Sequence, residues 1–379
     1  MNKIALIALP LMLQLSVVCF SQEKSTQQAK KKAPIRNAEI GAYKVELLDN
    51  SKILSQAVAV NSKGNVIGMR QITNAAMTIF DSRYFFANQK DSIDIKTPKE
   101  FTNLEAFALS DNDLVVGLTS RPLGDSRGSL RGFAWNAKNE ELQLLLPLEG
   151  DIASHAQDVD SAGKVVVGYS TGAEPAPQIR SVVWELQEDG KWAASLLPCK
   201  DSYNPYIVLS RVIVSPDGKT IAACCTERRS EFGQVDSQLY HWTRKDGKWA
   251  GKVISKEQYH LRDMNNEKQI AGSYASPGGP MPCRINSDGS VDKIELLKGD
   301  ESGEAWGITP TGEVVGLSDD PRGPKGGPQA FMWSNGKTKK IDFGDSPYSA
   351  AYSINEKGQI AGLVDVLEPE EKTIGFRTK

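Results

Sequence analysis

Ala351-Tyr352-Ser353-Ile354-Asn355-Glu356-Lys357-Gly358-Gln359-Ile360-Ala361-Gly362 reads as a strand, a tight turn and a returning strand. Small and bulky residues alternate up to Ile354. Gly358 stands where a hairpin needs a left-handed residue, and a β-branched run follows it. The unit recurs as AVAVNSKGNVIG from Ala57, AFALSDNDLVVG from Ala106, AQDVDSAGKVVVG from Ala156, RVIVSPDGKTIAA from Arg211, LRDMNNEKQIAG from Leu261 and AWGITPTGEVVG from Ala305. The seven central apolar residues are Val60, Leu109, Val159, Val214, Met264, Ile308 and Ile354, spaced 49, 50, 55, 50, 44 and 46 residues apart. That spacing lies near the period of propeller blades.

Outward from this unit, a third run ends in an aromatic: GFAW at Trp135, SVVW at Trp184, LYHW at Trp242 and AFMW at Trp333. A fourth run follows, as LQLLLP, KVIS, KIELL or KKIDF. No segment after the N-terminus carries a long 3.6-residue apolar period, so almost no helix is expected. Four short strands repeated seven times predict an all-β, seven-bladed β-propeller, whose radial closure leaves few exposed edges. The last unit stops at its third strand, Ile374 to Lys379, while Lys44 to Asn50 (KVELLDN) resembles the fourth-strand sequence KIELLKG from Lys293. The N-terminal strand, Ala42 to Leu48, is therefore expected to complete the last blade and remove a loose edge.

The order small, aromatic, small, Ile-Asn, Gly turn, Val-Val-Gly or Ile-Ala-Gly strand, then Ala-Phe-x-Trp (Ala330 to Trp333), resembles the HAF-type bacterial extracellular repeat. The resemblance spans residues 42–379. It departs in the fourth unit, where Ala222 replaces the strand glycine, and in the fifth, where Cys283 replaces the Phe. It implies a propeller-like fold and export, and it assigns no activity.

The N-terminus agrees with export. Met1-Asn2-Lys3 precedes an apolar stretch from Ile4 to Phe20, and Cys19-Phe20-Ser21 places small residues where a signal peptidase reads. Residues 1–21 are expected to be a signal peptide cleaved after Ser21, which leaves no membrane span. Cys19 lies at lipoprotein depth, but Val18 before it is too large for a good lipobox. The expected location is secreted or periplasmic. Residues 22–40 are polar, rich in Lys and Gln and free of aromatics, and predict a flexible basic linker before a single domain over 41–379. At a net charge of −2 nothing marks a nucleic-acid binder, which would show a basic face, and no nucleic-acid partner is expected. A monomer is expected.

Export bears on the cysteines as well. Cys199 enters the fourth blade, and Cys224-Cys225 ends that blade's second strand at the same rim. A disulfide from Cys199 to one of that pair is expected. Cys283 takes an aromatic core position and is expected as a buried thiol. Three His and no CxxC or CxxH spacing argue against a zinc site, and no metal or cofactor is expected. Gly124-Asp125-Ser126-Arg127-Gly128 matches the hydrolase elbow G-x-S-x-G, yet no helix pattern follows it, so it reads as a polar loop. The acidic turns at Ser110 to Asp113 and Ser318 to Asp320 lack the ligand set of a calcium loop. Trp135, Trp184, Trp242 and Trp333 read as packing between blades, whereas Trp192 and Trp249 follow hairpin turns and are expected to be partly exposed.

Alignment of the innermost strands yields the candidate site. Four residues before the central apolar position stand Gln56, Glu105, His155, Ser210, His260, Glu304 and Ala350. Two before it stand Val58, Phe107, Gln157, Val212, Arg262, Trp306 and Tyr352. Pseudo-symmetry makes each set a ring around the axis. Glu105, His155, His260 and Glu304 are expected at the channel entrance, with Phe107, Arg262, Trp306 and Tyr352 below. The longest loops, SRPLGDSRGSL, TERRSEFGQVDSQ, SPGGPMP and DDPRGPKGGPQ, lie on the same face, where binding usually sits. Two functions fit: a non-enzymatic module that binds a carbohydrate or protein through this face, or a polysaccharide hydrolase or lyase with ring carboxylates and an imidazole.

Overall fold

The structure is a computed structural model that describes residues 33–48, 54–73, 80–122, 130–173, 179–199, 211–228, 235–320, 327–366 and 372–379. The expected signal peptide, Cys19, the G-x-S-x-G loop, Ser210, residues 22–32 and parts of three long loops lie outside them.

Seven antiparallel sheets stand around an axis, and the described residues contain no helix. The innermost strands are Ser55–Val60, Asn103–Leu109, Ala153–Val159, Ile213–Val214, Tyr259–Met264, Ser302–Ile308 and Ser349–Ile354, and each touches the next in cyclic order. Blade 7 runs outward through Ile360–Val366 and Lys372–Thr378 to the N-terminal strand Tyr43–Leu47, with Val45 opposite Thr378 and Leu47 opposite Phe376. The chain thus closes its ring with the strand that the truncated last unit lacks.

The closure goes further than the sequence suggests. Arg36–Ile40 forms a fifth strand outside Tyr43–Leu47, and Ala33–Pro34 pairs with the outer strand Asp91–Asp94 of blade 1. This corrects the expected flexible linker over 22–40: its last residues clasp two blades. Ala38 and Ile40 pack against the apolar cluster that contains Val45, Phe343 and Phe376. Arg377, 2% exposed, donates to Glu46 on its own blade, to Gly64 O and, at 2.9 Å, to Asn88 O on blade 1.

The repeat sequence has two physical causes. The first is the Asn of Ile-Asn. Asn355 Oδ1 accepts from Lys357 N and Gln359 N at 3.0 Å each, closing its own turn, while Nδ2 donates to Asn61 O of the next blade at 2.8 Å. Asn61 reaches Ser110 O and Asn265 reaches Thr309 O in the same way, both at 3.0 Å. Ser110, Asp160, Ser215 and Thr309 close their turns through side-chain oxygen. A short polar side chain here satisfies turn amides that the hairpin leaves unpaired.

The second cause is the glycine of Val-Val-Gly. Six innermost strands carry a β-bulge at one place: Ala57/Ala59, Ala106/Ala108, Ala156/Asp158, Leu261/Asp263, Ala305/Gly307 and Ala351/Ser353. The bulge drives the carbonyl of the residue four before the centre against the facing strand. A Cβ on Gly117, Gly168 or Gly362 would stand 1.9 Å from the oxygen of Glu105, His155 or Ala350. In blade 4 the register aligns Ala223, not Ala222, with this glycine, since Ile213 pairs Ala222 and Val214 pairs Ile221. Blade 4 has no register shift in its two described pairs, so an Ala is tolerated there.

Trp135, Trp184, Trp242 and Trp333 are buried between blades, and Cys283 is fully buried. Trp192 is half-buried. Trp249 differs from its expected exposure: it is buried, with the Arg244 guanidinium 5.1 Å from its ring centre.

Candidate functional site

The bulges shape the axis. A bulge leaves one residue unpaired and re-aims its side chain. Five of the six bulged residues, Val58, Phe107, Arg262, Trp306 and Tyr352, line a central cavity of about 1650 Å³, as do all seven central apolar residues. The sixth, Gln157, instead accepts Val212 N through Oε1 at 2.8 Å.

Four expected site residues form a continuous contact across blades 5 to 7. Arg262 Nη2 donates to Glu304 Oε2 at 2.6 Å. The Arg262 guanidinium also lies 3.7 Å above the Trp306 ring centre, and Trp306 meets Tyr352 edge-on at 5.0 Å. Burial raises the Tyr352 hydroxyl above its ordinary pKa, so it stays protonated and able to donate. Glu304 and Arg262 keep about a quarter of their side-chain surface open, 25% and 26%. His260, exposed, lines the cavity beside them; partial burial, then the Arg262 charge, lowers its pKa, while Glu304 opposes the shift.

Glu105 and His155 do not join them. Neither lines the cavity, which corrects the expected ring of four entrance residues. Glu105 accepts Asn103 Nδ2 at 3.2 Å, and burial raises its carboxyl. His155 packs between Phe107 of blade 2, at 5.2 Å, and Tyr169, at 4.6 Å, with Nδ1 bonded to the Tyr169 hydroxyl. Burial, reinforced by Arg211, pushes its pKa down to about 4, so the imidazole is neutral and packed between blades 2 and 3.

Three channel residues escape the two aligned rows. Asp158 Oδ2 accepts Val214 N at 2.9 Å and Asp263 Oδ2 accepts Ile308 N at 3.0 Å, each reaching the next blade. Ser353 Oγ takes the same role for Val60 N at 3.2 Å. Burial pushes the Asp158 carboxyl up to about 6 and that of Asp263 up to about 7, partly offset by Arg211. Arg211 donates to Gln157 O of blade 3 at 3.0 Å and to Phe107 O of blade 2 at 3.2 Å, carbonyls of two bulged residues. The signal lay in the next column: Ala59, Ala108, Asp158, Ile213, Asp263, Gly307 and Ser353 directly precede the central residues.

At the loop-rich mouth the lining continues through Gln56, Gln71, Pro277, Gly279, Pro280, Ser302, Asp319 and Tyr348. Asp319 Oδ1 is buried without a hydrogen-bond partner among the described residues, and burial together with Asp300 and Asp320 raises its carboxyl. Among the described residues no group of three His, Cys, Asp or Glu is placed to hold a metal ion. Of the cysteines, Cys199 Sγ lies 3.7 Å from Cys225 Sγ.

No family model matches this chain, and no curated protein does. Solved structures do. The β-propeller domain of the Trilobed protease from Pyrococcus furiosus, described as having an open velcro topology, aligns with a TM-score of 0.55 at 13% identity, over 85% of this chain and 93% of that one. A puromycin-hydrolyzing peptidase of Mycobacterium tuberculosis aligns with a TM-score of 0.55 at 11% identity, over 89% of this chain and 54% of that one. The acylaminoacyl peptidase of Pyrococcus horikoshii aligns with a TM-score of 0.54 at 11% identity, over 86% and 52%. This chain therefore spans about half the length of those two peptidases. At such identity the likeness establishes the propeller fold alone. Here the ring is joined between Tyr43–Leu47 and Lys372–Thr378.

Proposed function

We propose that this chain is an exported, ligand-binding propeller whose site is the channel mouth over blades 5 to 7, and that its ligand is a hydroxyl-rich carbohydrate. The observation that carries this is the continuous Glu304–Arg262–Trp306–Tyr352 contact, held by three consecutive blades and open to a cavity large enough for an oligosaccharide. Sugar hydroxyls both donate and accept. The mouth offers acceptors at Glu304 and Asp319 and donors at Arg262, His260 and the tyrosines, over an apolar ring. Asp319 Oδ1, buried without a donor among the described residues, is the kind of acceptor that a ligand hydroxyl satisfies. Arg262 and Glu304 already neutralise one another, so a neutral ligand adds no unpaired charge.

A thermal-shift screen of the chain against neutral and acidic oligosaccharides tests this, since a ligand that binds only the folded state raises the melting temperature. Binding of a neutral glycan that Glu304→Gln with Asp319→Asn abolishes, in variants that fold and melt like the parent, supports it. Binding that survives both changes moves the site to the loops around 121–130 and 226–238. No shift with any glycan refutes the ligand class.

A further inference from the structure

Blade 4 departs from the others in one respect after another. Its innermost strand is only Ile213–Val214, its glycine is Ala223, and its two described pairs show no bulge. Beside it stand two cysteines from different blades. Cys199 follows the outermost strand of blade 3, Trp192–Leu196, and Cys225 lies in the second strand of blade 4, Thr220–Arg228. Both join the apolar cluster between these blades, with Val167, Leu197 and Tyr240. Their sulfurs are 3.7 Å apart. Cys224 faces the other way, as strand alternation demands, with Sγ 3.6 Å from Glu257 O, and Cys283 is sealed in the core between blades 4 and 5.

We propose that Cys199 and Cys225 form a disulfide that staples blade 3 to blade 4, made by exchange with a disulfide-bearing oxidant outside the reducing cytosol. Cys199 is half-buried and Cys225 buried, so Cys199 meets the oxidant first. The hydrogen bond with Cys225 holds the Cys199 thiol below its ordinary pKa; that same bond, with burial, holds Cys225 well above it. The Cys199 thiolate attacks the oxidant's disulfide, one oxidant sulfur leaves as a thiol, and a mixed disulfide remains on Cys199. Cys225 then gives up its proton and displaces the second oxidant sulfur. The two cysteines are oxidised by two electrons, and the oxidant is reduced to two thiols that carry the two protons. The new bond closes a loop containing the short innermost strand of blade 4, which has two described ladder pairs, and it restricts the unfolded chain.

The test uses the full chain, exported or refolded with oxidised glutathione, and alkylated without reduction. Trypsin releases Trp192–Lys200 with Cys199, and Thr220–Arg228 with Cys224 and Cys225. The expected result is one linked peptide pair, retained in Cys224→Ser and lost in both Cys199→Ser and Cys225→Ser. Reduction is expected to lower the melting temperature of the parent by several degrees and to leave that of Cys199→Ser unchanged. Full alkylation of Cys199 and Cys225 in the oxidised protein overturns the proposal, as does a link to Cys224 or Cys283, or a melting temperature indifferent to reduction.

Discussion

Gly362→Ala tests the link between the repeat's glycine and its bulge. The new Cβ would stand 1.9 Å from Ala350 O, 3.0 Å from its carbonyl carbon and 3.1 Å from Ala351 Cα. Relieving the clash needs a backbone shift of roughly 1 Å, because carbon and oxygen in contact stay about 3 Å or more apart. The neighbours that must move are backbone atoms of a buried strand, so no side chain can swing aside. The shift would disturb Ala351 and Ile354 in the core between blades 6 and 7 and strain the Ser353 Oγ bond to Val60 N. Overpacking of this kind costs about 1–3 kcal/mol. Weakening the inter-blade hydrogen bond adds about 1 kcal/mol. Against this, Ala lowers the entropy of the unfolded chain by about 0.4–1 kcal/mol. The expected net loss is about 2 kcal/mol, read as a lower urea midpoint at unchanged slope. Gly358→Ala, at a φ of +76° with open space around it, should lose only about 1 kcal/mol, from backbone strain alone. A midpoint for Gly362→Ala at or above that of Gly358→Ala would refute the reasoning.

Arg377→Ala should destabilise the ring by about 3 kcal/mol, because it leaves Glu46 without its cation and two carbonyls of blade 1 without donors; urea denaturation measures it, and a loss no larger than that of an exposed Lys→Ala control would count against the clasp. Asn355→Ala should cost about 2 kcal/mol by opening its own turn and the bond to Asn61 O, whereas Glu356→Ala beside it should change the midpoint little. Asp263, pushed up to about 7, keeps a proton in the folded chain that the unfolded chain has released, so its contribution to stability falls as pH rises from about 4 to about 7. Asp263→Asn should therefore gain on the parent across that window; parallel pH profiles of the two would show that the carboxyl does not titrate there. His155, pushed down to about 4, is neutral when folded while the unfolded chain takes up a proton below about 6.5, so stability is lost as pH falls between those values. His155→Phe should flatten that acid limb in a pH series of melting temperatures, and an unchanged limb would refute it.

The architecture was determined locally. A tight turn needs its left-handed residue and its polar cap, a strand needs its alternation, and a blade edge needs a partner; each demand is met within a few neighbouring residues, so each recurs in the sequence with a readable period. Counting the copies and noticing the missing last strand were enough to infer seven blades closed by Ala42 to Leu48. Arg262, Glu304, Trp306 and Tyr352 were legible for the same reason, since equal positions in equal blades meet at the axis. The tertiary structure decided what depends on a single extra residue. The bulge brings Asp158 and Asp263, one column away, into the channel, while local partners decide the outer row: Asn103 holds Glu105 and Phe107 with Tyr169 holds His155 out of the cavity that His260 and Glu304 line. It also decided contacts between residues far apart in the chain. Arg377 meets Gly64 and Asn88, Arg211 spans to Phe107, and Arg36–Ile40, polar enough to read as a tether, becomes a strand because an unpaired edge lies beside it. No local pattern encodes such meetings, because the free energy that makes them favourable, burial of a charge beside its partners or pairing of an open edge, exists only after the ring has closed.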